Sequence, residues 1–271
     1  MSPEAVSWTV WFCAVVLASI NFLFVIIIHR HVHTKLVKHV YKVRAAEGQD
    51  AWERRNGLIT TPVHALILLV LFQSGVLRVV EDGVGRALMS FLTAFIWTEI
   101  WHYATHRVMH ITRLHAIHRE HHRSRVTQPW TSVSFSFSEK FVFSAGIVGF
   151  LSLMSWWIPQ SAIGISMYYI LYFYTNTLGH SNFEFRQAGY RKTWMGKVFN
   201  SPSYHAMHHA RYIKNFGLLT PWLDKLFGTE WADEAQVLDR AALGRPLTRL
   251  NERAGEPVAE SDAGSAAHSP R

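Results

Sequence analysis

A chain of 271 residues that is 49% hydrophobic, 17% charged and carries a net charge of +8 has the length of one large domain or two small ones. The basic balance would suit a nucleic-acid partner in a water-soluble protein, but long apolar runs separate the positives, so a membrane protein with no nucleic-acid partner is the better reading. The single Cys13 lies inside the first run, which excludes an intramolecular disulfide and a thiolate metal cage and leaves any metal to nitrogen or oxygen donors.

Five apolar runs follow one another, at 8–28, 58–77, about 86–101, 141–158 and 162–178. The first reads WTVWFCAVVLASINFLFVIII, and at about 1.5 Å rise per residue it covers a bilayer core of about 30 Å. Glu4 precedes it and no Lys or Arg does, so it is expected to stay as a helix rather than be cleaved as a signal peptide. The fourth and fifth runs meet at Trp156-Trp157-Ile158-Pro159-Gln160 and form a hairpin that either spans or dips deeply. Residues 29–57 hold seven Lys and Arg, 102–140 hold six and 181–271 hold twelve, whereas the link at 78–86 holds two and Trp156–Gln160 none. The positive-inside rule makes the rich side cytoplasmic and puts the N-terminus outside. The expected fold class is an all-α, multi-pass integral membrane protein, with four to five transmembrane or deeply inserted helices and a cytosolic histidine-rich helical cap. One domain is expected over 1–250 and a disordered tail over 251–271, where Gly, Ala, Ser, Pro and Glu dominate. Residues 186–200 suit a helix at headgroup level or an ordinary surface helix. His29, His31, His33 and His39, with Arg30, Lys35, Lys38 and Lys42, form a basic strip suited to anionic lipid.

The histidines are grouped. HREHH holds His118, His121 and His122, and HAMHH repeats that spacing at His205, His208 and His209. On a helix, i, i+3 and i+4 share a face, so each box can converge its rings. The third run is expected to continue as helix through EIWHYATHRVMH, with His102, His106 and His110 one turn apart. Neutral imidazole is a metal ligand, and eight or nine rings exceed what one ion accepts, so two ions are the economical solution. Imidazole suits zinc, copper, iron and nickel alike. No HExxH order supplies the base of a zinc hydrolase, and a redox metal at the membrane surface fits better. Among nearby acids, Glu99 is the best candidate to accept a ligand's second N–H, while Glu120, Glu139 and Glu184 read as surface groups. His64, inside the second run, would meet either substrate or a main-chain carbonyl.

These motifs resemble those of the fatty acid hydroxylase/sterol desaturase superfamily of integral-membrane di-iron oxygenases. The similarity covers most of residues 86–229: HRVMH (His106 to His110), HREHH, GHSNFEF (Gly179 to Phe185), SPSYH, HAMHH, and the closing NFGLLTPWLDKLFGT (Asn215 to Thr229). The resemblance implies histidine boxes at 106–122 and 180–209, and two irons held by His106, His110, His118, His121, His122, His180, His205, His208 and His209. Glu99 and His102 would support them from alongside. Some members carry a further histidine where this chain has Asn176, with Asn182 or a water as the substitute. The implied reaction uses O2 as co-substrate and external electrons to hydroxylate or desaturate a lipid drawn from the bilayer. No flavin, haem or nucleotide motif is visible, so a ferredoxin, or a cytochrome b5 with its reductase, would supply the electrons. A membrane zinc hydrolase and a non-catalytic metal carrier or sensor are the alternatives. NFEF and SPSYHAMHH are similar to the plant wax-alkane branch as well as to the sterol and fatty-acid branches, which leaves the lipid open.

Overall fold

The computed structural model describes residues 2–34 and 37–255. Among the described residues ten helices run in the order α1 Pro3–Val32, α2 Gln49–Gln73, α3 Val84–Met109, α4 His115–His122, α5 Phe137–Met154, α6 Ala162–Gly179, α7 Trp194–Val198, α8 Pro202–Arg211, α9 Trp222–Leu226 and α10 Glu234–Ala242. Short 3-10 turns lie at Pro129–Val133 and Tyr190–Lys192, and among the described residues β-pairing is limited to three isolated bridges. The expected all-α class is what the chain adopts.

Five long helices form a closed ring: α6 lies between α1 and α3, α5 between α2 and α3, and α1 meets α2. Three of them, over Glu4–Val32, Gln49–Gln73 and Phe137–Met154, are long and apolar enough to cross a membrane. In α3 and α6 the hydropathy is diluted by Glu99, His102, five tyrosines and Asn176, most of which are turned inward and buried. The outer faces of all five are apolar, through Phe12, Ile27, Leu66, Val70, Leu92, Ile96, Phe141, Ile163 and Met167. This is the reverse of a water-soluble bundle, whose outward faces are polar. Inside, Leu17, Ala94, Ile147, Leu151, Ile165 and Tyr168 interlock four of the helices. The α3–α6 crossing depends on Gly164, because a Cβ there would overlap the main chain of Ala87.

The helices begin and end with a physical cause. Ser2 accepts the N–H of Ala5 to start α1, and Ser161 does the same for Gly164 in α6. Glu81 takes the N–H groups of Ala162 and Ile163 and the Ser161 hydroxyl, placing a carboxylate at the positive end of α6. The second helix departs from the apolar pattern: it starts at Gln49 and leaves helical geometry before Gly75 (φ +74°), so 58–77 is offset from the actual element. The polar first turns belong to it because Gln49 and Glu53 are buried against Val126, Ser124 and Thr131.

Arg78 and Val80 pair with Gln160 through main-chain hydrogen bonds, so the α2–α3 and α5–α6 links meet at one end. Val10 packs there with Leu77 and Ala162. All histidine boxes therefore lie at the opposite end, where α8 and α10 pack on a second core of Tyr41, Ala206, Met207, Trp231 and Leu247. Residues 39–42, extended after α1, pair with Asn182 and Leu247 and tie this cap together. That tie changes the reading of the basic strip: Lys38 spends its ammonium on the Ala242 carbonyl, and Lys35 lies outside the described residues. The stretch 186–200 is not one helix, because Gly189 (φ +82°) and Thr193 break it into a 3-10 turn and α7. The expected tail starts too early: Glu252 is buried and bonded to Arg240 and Thr248, so the fold includes 251–255. Residues 256–271 lie outside the described residues.

Candidate metal centre

The third helix continues to Met109, as the spacing predicts, and delivers His106 in its last turn and His110 at its end. α4 carries the whole of HREHH, with His118, His121 and His122 buried while Arg119 and Glu120 turn outward. His180 ends α6, and α8 supplies His205, His208 and His209 from a helix buried on every side. Glu184 sets the start of α8 by accepting the N–H and hydroxyl of Ser203, and burial pushes its carboxyl above the usual range.

Nine rings converge as two groups. His106, His110, His118, His122 and His208 form one; His121, His180, His205 and His209 form the other; within each, one nitrogen per ring lies within 4.8 Å of all the rest. HREHH and HAMHH are each divided between the groups, since neighbours such as His121 and His122 point about 100° apart around a helix, whereas His106 and His110 stay together. The ring orientations are fixed from outside. Nδ1–H of His106 donates to the Phe216 carbonyl at 2.7 Å, of His121 to Ser134 at 3.0 Å, of His180 to Asn176 at 2.8 Å, of His208 to Lys214 at 2.8 Å and of His209 to Ser124 at 3.0 Å. His118 donates to a carboxylate instead, Glu139 Oε1, at 2.6 Å. In six rings the Nε2 lone pair consequently faces inward.

In those six rings, with the proton on Nδ1, the inner nitrogen can only accept. Nε2 of His106, His110, His118 and His209 is buried without a partner, and the Nε2 atoms of His122 and His208 face each other at 3.0 Å. Burial holds His118, His121, His122, His180, His205, His208 and His209 below the ordinary imidazole range, to about 4 for His121, so they are neutral near pH 7 and ready to donate lone pairs. Buried lone pairs aimed at one another are costly until a cation takes them, and imidazole is a good donor to first-row transition metals. The donor set fits two such ions.

Residues 91–229, just over half of the chain, match the fatty acid hydroxylase family model. The chain belongs to the fatty acid hydroxylase family. Among curated relatives it is 31% identical over 161 residues to the very-long-chain aldehyde decarbonylase GL1-4 of Oryza sativa subsp. japonica, covering 54% of this chain and 25% of that one. It is 32% identical over 153 residues to the very-long-chain aldehyde decarbonylase CER1 of Arabidopsis thaliana, covering 55% and 24%. The matched stretch thus spans about a quarter of these relatives' length. No solved structure matches.

All nine family-pattern histidines fall in the two groups; the supporting residues read from sequence fare differently. Glu99 makes no hydrogen bond to a histidine among the described residues. Its carboxylate accepts the N–H and hydroxyl of Thr220, and so anchors the segment whose Phe216 carbonyl holds His106. His102 makes no hydrogen bond to a ligand ring; it lies 5.0 Å from His106 and stacks on Phe143. Asn182 is spent on both main-chain groups of Tyr41, so it is no substitute donor. Asn176 lies nearer, bonding Ser132 and facing a cavity of about 30 Å³ beside His121 and His180. His64 meets Tyr169 edge-on and belongs to neither group.

The carboxylate that does reach a ring is Glu139, which sequence reading assigned to the surface and which is fully buried. A signal was available: Ser136-Phe137-Ser138-Glu139 opens an apolar helix, where a charged side chain needs a partner. The S-x-x-E spacing instead suggests a capping box, and the Glu139 main-chain N–H does donate to Ser136.

Proposed function

We propose that the chain is a membrane-bound di-iron oxygenase that hydroxylates or desaturates a lipid, with the five-ring and four-ring groups as the two iron sites. Bound there, the irons would use O2 and electrons from a ferredoxin, or from a cytochrome b5 with its reductase, to attack an unactivated C–H bond. The observation that carries the reading is the inward aim of buried, partnerless Nε2 atoms in two adjacent groups. Family membership and the lipid-modifying names of the relatives support it.

The chain's own residues hold and shield. Main-chain carbonyls and Glu139 keep the tautomers of six rings fixed, so those six need not reorient as metal binds. Phe135 stacks on His121, and Phe143 and Tyr172 close the small cavity beside it, limiting water next to the reacting carbon. The three membrane-length helices bring a bilayer-resident substrate to the same end of the bundle by lateral diffusion. We place that end on the cytoplasmic side, because the Lys- and Arg-rich segments are there.

The test is paired. Purified wild type should hold about two irons per chain, and its host's lipids should contain an oxidised product absent with His121→Ala, although the variant still inserts. Zinc alone in a form active without O2 would point to a hydrolase and sink the proposal. Exchangeable metal with unchanged lipids would point to a carrier.

A further inference from the structure

A second site lies outside both histidine groups. Between the C-terminal half of α6 and the segment 185–202 is a groove of about 370 Å³, within the size range of small-molecule sites. Leu171, Tyr174, Met195 and Phe199 give it apolar walls, and Leu171 and Tyr174 continue onto the outer, lipid-facing surface of α6. One cation lines it. The Arg186 guanidinium is braced against the rings of Phe185 and Tyr190, 4.6 Å from each centroid. Its Nε is buried without a hydrogen-bond partner.

The missing partner is not a general property of the cap. Arg191 meets Glu234, Arg211 meets Asp233 and Arg240 meets Glu252. The nearest acid in sequence, Glu184, accepts only the main-chain N–H of Arg186 and turns its other oxygen to Ser203. Among the described residues no carboxylate pairs with Arg186. A guanidinium held rigid by two rings, with donors left over, is suited to an oxyanion such as carboxylate or phosphate. An apolar trough leading from it to the bilayer face suits an acyl chain.

We propose that this groove binds an acyl-chain amphiphile with an oxyanion head, the head at Arg186 and the chain along α6. The groove shares no side chain with the histidine groups, yet Gly179 in its wall sits where a Cβ would be 3.7 Å from the Cβ of His205. Occupancy is therefore read as binding, without turnover, and stands or falls separately from the di-iron reading.

The experiment uses the full chain in nanodiscs of zwitterionic lipid, with a spin-labelled stearic acid, its methyl ester and a spin-labelled lysophosphatidic acid as probes. At least one acid-headed probe should bind ten-fold or more tightly than the ester, and the tighter of the two identifies the head. Arg186→Gln should bring that probe down to the level of the ester, Arg186→Lys should lose less, and Met195→Trp, which narrows the opening, should weaken acid and ester alike. An unchanged metal content and melting temperature show that each variant is folded. Equal affinity for acid and ester, full affinity in folded Arg186→Gln, or displacement of the probe by millimolar inorganic phosphate alone would overturn the site as described.

Discussion

At the scale of single residues, the metal centre depends on what stands behind the rings. Glu139 is the only carboxylate hydrogen-bonded to a ring of either group among the described residues, and a partner of that kind typically governs metal affinity by 10- to 100-fold. Glu139→Ala should therefore lower iron affinity by roughly that factor, while Glu139→Gln, which keeps an acceptor, should lose less; metal titration of the purified variants checks both. The neutral rings also set a pH dependence. His118, His121, His122, His180, His205, His208 and His209 have folded-state values below the ordinary 6.5, so the unfolded chain binds more protons over that interval. Stability of the metal-free protein should be fully present above about pH 6.5 and decline as pH falls toward about 4, the value for His121. Glu184, Asp224, Glu230 and Glu234, whose carboxyls are raised by burial, work in the opposite direction but are four groups against seven. Melting temperatures of chelator-treated protein between pH 8 and 4.5 measure this; a flat profile would contradict it.

At the scale of elements, spacing made the claws legible but not their allocation. The i, i+3, i+4 pattern placed each triplet on one face, yet His118 and His122 join the five-ring group while His121 joins the other, because assignment depends on where α3, α6 and α8 cross α4. The long helices were legible as apolar runs. Their ends were not where polar turns are buried, as in Gln49–Glu53 of α2, since hydropathy cannot anticipate a tertiary partner. Glu139 was missed for a related reason: its partner lies on a different helix, 21 positions away in sequence. Helix contact was equally hidden. Gly164 gives no signal in an apolar run, but any side chain there meets the Ala87 main chain, which cannot yield as a flexible side chain could. Gly164→Leu should cost about 1–3 kcal/mol and lower the melting temperature in detergent, whereas Ile163→Ala, on the exposed face, should change it little.

At the scale of the whole molecule, the two ends of the bundle differ in chemistry. One has the short links around Asp82 and Trp157; the other has the cap and most of the Lys and Arg. With Cys13 replaced by Ser, a cysteine at Trp157 should react with an impermeant maleimide from outside intact cells, and one at Arg119 only after the cytoplasmic side is opened; the reverse pattern would invert the topology. The division of the boxes has a further consequence for biosynthesis. Each group of rings includes at least one from α8, and two rings of the five-ring group are braced by carbonyls still later, at Lys214 and Phe216. A nascent chain that has inserted α1 to α6 holds His106, His110, His118 and His122 in one group but only His121 and His180 in the other. Neither set is closed until residues past 216 have left the ribosome and folded back against α3. On the proposed metal-binding reading the four-ring group cannot be filled before α8 folds back, and a chain that stalls earlier holds one set of four rings beside a pair too few to enclose an ion.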